Sequence, residues 1–212
     1  MGTITKGILG GFSGTVGTVI GGNWKGIDYM RSQSSRRRGT STQKQLEQRL
    51  KFGLISKFQQ PLNGLLNESF SSYAVKMTGA NSALSYNIRN AVSGIYPSYE
   101  INYSLALVSR GDMPNAVSPG TGAVAGGTIN FEWTNNAGTG KAAADDVAVM
   151  VVYCPSKQNC VYLESGERAD QAASINVSGF AGEVVETWLF FFSADGRETA
   201  TSIFTGQLTV LA

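Results

Sequence analysis

The chain has 212 residues, 42% hydrophobic and 15% charged, with 17 basic and 15 acidic residues for a net charge of +2. That balance gives no electrostatic footprint for nucleic acid as the main partner. The low charge fraction fits a surface that meets protein. The sequence contains no histidine, which removes the commonest general base and metal ligand, and its two cysteines are too few for a Cys-only zinc site.

Glycine makes up about 12% of the chain (26 of 212) against a usual value of roughly 7%. The excess is densest in GILGGFSGTVGTVIGGNW, residues 7–24. Two readings fit this stretch. As a helix, its glycines recur every three or four residues, like the small-residue faces of closely packed membrane helices. As strands, GTVGTVIGGNW and IDYMRSQ flank a hairpin turn at Lys25-Gly26. Each glycine costs about 1 kcal/mol inside a helix relative to alanine. Seven of them between residues 7 and 22 favour the extended reading. The run is too short and too glycine-diluted to span a membrane, and it lacks the features of a secretory signal. Cytoplasmic synthesis without a signal peptide is therefore expected, with final residence in a particle.

The loop SQSSRRRGTST follows, carrying Arg36, Arg37 and Arg38. These are candidate phosphate contacts, or else arginines of a solvated loop. TSTQKQLEQRLKFGLISKF then reads as an amphipathic helix with Leu46, Leu50, Phe52, Leu54, Ile55 and Phe58 as its stripe. Thr42 and Gln45 have capping-box spacing. A second helix is expected over about 62–76 after Pro61, and a third over about 80–93 with Gly94 as its stop.

From Tyr99 the apolar period becomes two: Tyr99, Ile101, Tyr103, Leu105 and Leu107 share a strand face. A long loop is expected over about 110–126. GTINFEWT, DDVAVMVVYC, CVYLESGE, a weaker AASINVS, EVVETWLFFFSAD and ATSIFTGQLTVL follow as strands. With residues 99–108 these number seven, which fits an antiparallel sandwich of immunoglobulin or fibronectin type III kind. Trp133 and Trp188 are its candidate core aromatics. The expected fold is α+β, with a glycine-rich arm and helical region over 1–97 and an Ig/FnIII-like β-sandwich over 98–212.

No motif supplies a reaction. RGD at Arg110–Asp112 reads as a turn ending a strand. GTGKAA, residues 138–143, lacks a glycine at Asn135 and a magnesium ligand at Ala142, so it fails as a phosphate loop. Asp145 and Asp146 read as a solubilising strand entry. Glu164 and Glu167 lack a visible apolar pocket. Cys154 and Cys160 could face each other across a hairpin. No cofactor, metal site or catalytic residue is expected.

The opening GILGGFSGTVGTVIGGNWKGIDYMRS, then TSTQKQLEQRLKF, resembles an uncharacterised family found mainly in Bacteroidetes. In that family a glycine-rich segment leads to a W-K-G element and a Q-x-x-Q-R-x-K-F helix. NSALSYNIRNAVSGIYPSYEINYSLALVSRG and FEWTNNAGTGKAAADD also fit. SSRRRGTST stands where the pattern would carry a more proline-containing loop. The resemblance implies a two-part layout and no catalytic residues.

The leading expectation is a non-enzymatic structural assembly protein, a virion or prophage-particle component and homo-oligomer. Its arm (Gly10, Gly11, Phe12, Gly14, Val16, Gly17, Val19, Gly21, Trp24, Lys25 and Gly26) would pack on neighbouring subunits of the same or another kind. The alternatives are a protein- or glycan-binding sandwich and a nucleic-acid binder using the basic 36–51 segment.

Overall fold

A computed structural model describes residues 2–4, 7, 10–34 and 40–211. The chain divides into two compact units, Met1–Thr42 and Gln43–Ala212. The division falls at the start of the first helix, not at the expected 97/98. The reason is packing: Phe58, Leu62, Leu65, Leu66 and Phe70 from the helical region join one core with Trp188, Phe190 and Val151 from the sandwich.

The first unit is an antiparallel four-stranded sheet in sequence order. Its strands are β1 (Thr3–Ile4), β2 (Phe12–Val16), β3 (Val19–Trp24) and β4 (Ile27–Ser32). The extended reading of the glycine-rich segment is therefore the correct one. Strand 14–24 is broken by a second two-residue turn at Gly17-Thr18, which joins the paired Val16 and Val19.

The second unit has three layers. The first is helical: α1 (Gln43–Gln59), α2 (Asn63–Ser69) and α3 (Gly79–Asn90). The second expected helix stops early. Phe70 is fully buried as its C-cap, and a 3-10 turn over Ser71–Tyr73 follows. α3 starts on Thr78, whose hydroxyl accepts from Asn81 N–H at 3.3 Å. It ends at Asn90 with Ala91 as C-cap, so Gly94 is not its stop. Gly94 lies in a small hairpin, β5 (Val92–Ile95) and β6 (Ser98–Ile101).

The other two layers form the sandwich. β7 (Val117–Val124), β8 (Thr128–Thr134) and β11 (Ala172–Asn176) make a sheet of order β11-β8-β7. β9 (Val147–Cys154), β10 (Asn159–Glu167), β12 (Val184–Phe192) and β13 (Ile203–Thr209) make a sheet of order β10-β9-β12-β13. This is the expected seven-stranded Ig/FnIII-like sandwich with one member exchanged. The segment 99–108 is not a sandwich strand, and the expected loop 110–126 contains β7.

β8 alternates buried and exposed residues, as a sheet with one wet face should. β9 and β12 do not: beyond their first residues every position is buried. They are covered on both faces. Leu189 and Phe191 look toward β8, with Phe191 packing edge-on against Trp133 at 5.5 Å. Trp188 looks the other way, onto Phe58 of α1 at 6.0 Å. Both predicted core tryptophans are buried.

Residues 103–108 run between the helices and the β10-β9-β12-β13 sheet. A 3-10 turn over Tyr103–Leu105 breaks the extended run and leaves Leu105 exposed, and beyond it side chains take the backbone bonds a neighbouring strand would supply. Asn87, fully buried on α3, donates to Leu107 C=O at 3.0 Å and accepts from Leu107 N–H at 2.9 Å. Trp188 Nε1 donates to Ala106 C=O at 3.0 Å, and Ser69 Oγ to Val108 C=O at 2.8 Å.

Glu186 sits on the helix-facing side of β12, buried, accepting from Gln207 Nε2 at 2.7 Å. Burial raises its carboxyl above the usual value, and the Gln207 bond acts against that. A raised folded value favours the protonated form. Stability is therefore expected to fall as pH rises from the unfolded carboxyl's value through the folded one. Glu186→Gln should raise the urea midpoint at about pH 7 and leave it nearly unchanged below about pH 4. Equal shifts at both pH values would contradict this.

Candidate functional site

The candidate site is the N-terminal sheet, built on two tight turns. At the β3–β4 turn Lys25 has φ 49° and Gly26 has φ 84°. Two positive φ values match the twist of adjoining strands, as in a type I′ hairpin. Asn23 secures the turn: its Oδ1 accepts from Gly26 N–H at 3.1 Å and its Nδ2 donates to Asp28 at 2.7 Å. Lys25 Nζ lies 5.5 Å over the Trp24 ring. The sequence expectation of a turn at Lys25-Gly26 holds.

The glycines within the strands make room for aromatic rings. A Cβ on Gly21 would lie 2.2 Å from the Phe12 carbonyl and 2.6 Å from its ring. Gly22, paired with Tyr29, would meet the Tyr29 hydroxyl at 2.9 Å. Each ring covers backbone that the glycine leaves bare, which offsets the weakness of glycine in a strand.

Strand register sorts the side chains. Phe12, Val16, Val19 and Met30 share one face; Ile20, Trp24, Ile27 and Tyr29 share the other. Neither face forms a core within the sheet. Gly21 is the one buried residue among those described in this unit. Met30 is 72% exposed, Ile27 63%, Val16 53% and Trp24 49%.

The expected arm residues thus fall in a single sheet. Gly10 and Gly11 precede β2; Phe12, Gly14 and Val16 are on β2; Gly17 is in the first turn. Val19, Gly21 and Trp24 are on β3, and Lys25 and Gly26 form the second turn. The expected arm residues end at Gly26; IDYMRSQ reads as a strand, but the exposed Ile27, Tyr29 and Met30 of β4 are not counted among them. The alternation in IDYMRS was the available signal. Arg36, Arg37 and Arg38 lie outside the described residues.

The other motifs have structural settings. Asp146 is not a solubilising surface acid. It is buried and paired at 2.9 Å with Arg168, which is fully buried. Arg168 also donates to Asn136 Oδ1 at 2.6 Å and to Pro114 C=O at 3.0 Å, and lies 4.1 Å over the Phe191 ring. Arg110 of the RGD tripeptide stacks 4.1 Å over Tyr73 and 5.2 Å from Tyr86, while Asp112 accepts from the Tyr73 hydroxyl. Gly111 passes so close to Thr199 that a Cβ would overlap its carbonyl.

Lys141 of GTGKAA pairs with Glu198 at 2.6 Å. Glu164 and Glu167 are exposed. Cys154 and Cys160 are free thiols. Cys154 is opposite Asn159 and Cys160 opposite Tyr153, so the sulfurs project from opposite faces of the sheet. Burial pushes the Cys160 thiol up to about 12. Among the described residues, no group of three or more His, Cys, Asp or Glu could hold a metal ion. No described helix is long and apolar enough to cross a membrane.

A search of curated proteins finds no match. Among solved structures, the fn3 domain of the human collagen alpha-1(XX) chain is similar at 14% identity and a TM-score of 0.32. That likeness covers 49% of this chain and 85% of that one. The model of a family of unknown function, DUF6266, matches residues 11–206, and the chain belongs to that family.

Proposed function

We propose that the protein is a non-enzymatic structural assembly component, a subunit of a virion or prophage-derived particle, and that its N-terminal sheet packs on neighbouring subunits. One observation carries this reading: the sheet of residues 12–32 holds apolar side chains on both faces and buries only Gly21. Small sheets without a covered face are marginal in water. Apolar area removed from water stabilises by about 25 cal/mol per Å², and this sheet has that area still to gain. Contiguous exposed apolar surface is the mark of an interaction site. The chain's lack of histidine supports a role without acid–base chemistry. The sandwich then serves as the body that the arm tethers to its neighbours.

Sedimentation of the full chain and of a chain lacking residues 1–31 tests this. The full chain should associate at high concentration, and the shortened chain should be a monomer with its fold intact. A monomeric full chain that shortening leaves unchanged would end the reading.

A further inference from the structure

We propose that β4 is a pairing edge, and that its occupant is β4 of a second copy of this chain, antiparallel about a two-fold axis at Met30. The inference rests on the assembly role given above and specifies the contact.

Sheet edges invite pairing with another chain, and proteins usually blunt them. The longer edges of the sandwich are blunted. β10 has an irregularity between Glu164 and Glu167. β13 has one opposite Thr187 and Trp188. β7 has one between Val117 and Gly120, with Pro119 inside it. β11 is only five residues long. β4 differs: it pairs with β3 through six consecutive residues without a shift. It contains neither glycine nor proline, and all six residues are exposed.

Its hydrogen-bonding phase is set by its own hairpin. Gln33 N–H donates inward to Thr18 C=O at 2.7 Å. Residues of one parity therefore bond to β3, and Asp28, Met30 and Ser32 turn their N–H and C=O groups to the open edge. A two-fold axis normal to the sheet keeps each face on its own side, so a residue can oppose only one of its own parity. Centring on Met30 sets Met30 against Met30, Asp28 against Ser32 and Tyr29 against Arg31 of the second copy. Those pairs give backbone bonds at the outward residues, a hydroxyl for the carboxylate and an aromatic ring for the guanidinium. Centring on Tyr29 would set Asp28 against Met30 and Arg31 against Ile27, charge against hydrocarbon. The charge pattern therefore selects both the register and a copy of the same strand.

The pairing is isologous, so it closes a dimer. It also joins Phe12, Val16, Val19 and Met30 of both copies into one continuous apolar face.

Met30→Pro tests the edge directly. The Met30 N–H points outward, so proline removes an intermolecular bond and leaves the β3–β4 hairpin bonds intact. Sedimentation should show the full-length variant dimerising at least tenfold more weakly than the parent. In a second variant, Met30→Cys, the opposed Cα atoms of a hydrogen-bonded pair would be about 5.5 Å apart, within disulfide range. It should form a cross-linked dimer under mild oxidation far faster than Val19→Cys, which is exposed but not on the edge. Met30→Pro associating like the parent, or Met30→Cys linking no faster than Val19→Cys, would overturn the pairing. If removal of residues 1–31 still yields monomers in that case, the assembly role of the arm survives and only this contact falls. If removal changes nothing, both fall.

Discussion

Asp146→Ala is expected to destabilise the second unit by roughly 3–5 kcal/mol, the usual cost of leaving one partner of a buried ion pair uncompensated. Arg168 is fully buried and cannot reach water once its carboxylate partner is gone. Its remaining partners, Asn136 and the Pro114 carbonyl, carry no formal charge. The loss extends beyond one bond. Arg168 N–H donates to Asp146 C=O at 2.8 Å, and the Arg168 carbonyl accepts from Trp133 Nε1 at 3.0 Å. The pair therefore ties the entry of β9 to the end of β10 and to the central strand of the facing sheet. At about 2–4 °C per kcal/mol for a chain of this size, the melting temperature should fall by roughly 6–20 °C. Replacing both partners, Asp146→Ala with Arg168→Met, should recover much of the loss, because no charge is then stranded. A single-mutant loss below about 1 kcal/mol would show that water reaches the guanidinium.

Phe58→Ala should cost about 3–5 kcal/mol, as large-to-small changes of a buried aromatic do. Phe58 belongs to α1, yet its ring contacts are Tyr153 of β9 at 5.0 Å, Tyr103 at 5.9 Å and Trp188 of β12 at 6.0 Å. The substitution therefore separates two pictures of the helical layer. If the helices are part of the sandwich core, helix content and tryptophan fluorescence will melt together, at a lower denaturant concentration than in the parent. If the helices were a separate spacer, helix loss would precede an unchanged tryptophan transition. Coincident transitions are expected.

The element order was largely legible in the sequence, and the failures have physical causes. Alternation located β8 and the hairpin at Lys25-Gly26. The segments VAVMVVYC and VVETWLFFF, with their apolar runs VAVMVV and WLFFF, were recognised as strands, but they carried a further message. A strand without polar alternation is covered on both faces, and only a third layer can do that. Reading it would have placed the helices on the sandwich and removed the 97/98 boundary. Residues 99–108 show the limit of periodicity: their apolar residues alternate in the sequence, but a 3-10 turn over Tyr103–Leu105 breaks the run, and Asn87, Trp188 and Ser69 take the bonds a neighbouring strand would supply. β7 was hidden in VSPGTGAV, where glycine and proline read as loop. Its cue was Gly126-Gly127, both at positive φ in the turn to β8.

The site was legible to the same degree. The glycines drew attention to the arm, and the fold explains Gly21 and Gly22 as seats for Phe12 and Tyr29. The Asp146–Arg168 pair was not visible, because its members lie 22 residues apart and meet only in the folded chain. Asp145 and Asp146 look alike in sequence, yet Asp146 is buried and Asp145 is exposed.

Hydrogen exchange of the amides of residues 12–32, followed as the full chain is diluted, tests most directly whether this sheet lives against another protein chain. Protection that is strong when concentrated and fades on dilution, while β9 and β12 stay protected throughout, is the predicted result. Protection of residues 12–32 that is independent of concentration would show that the sheet is stable without a partner, and would contradict the account.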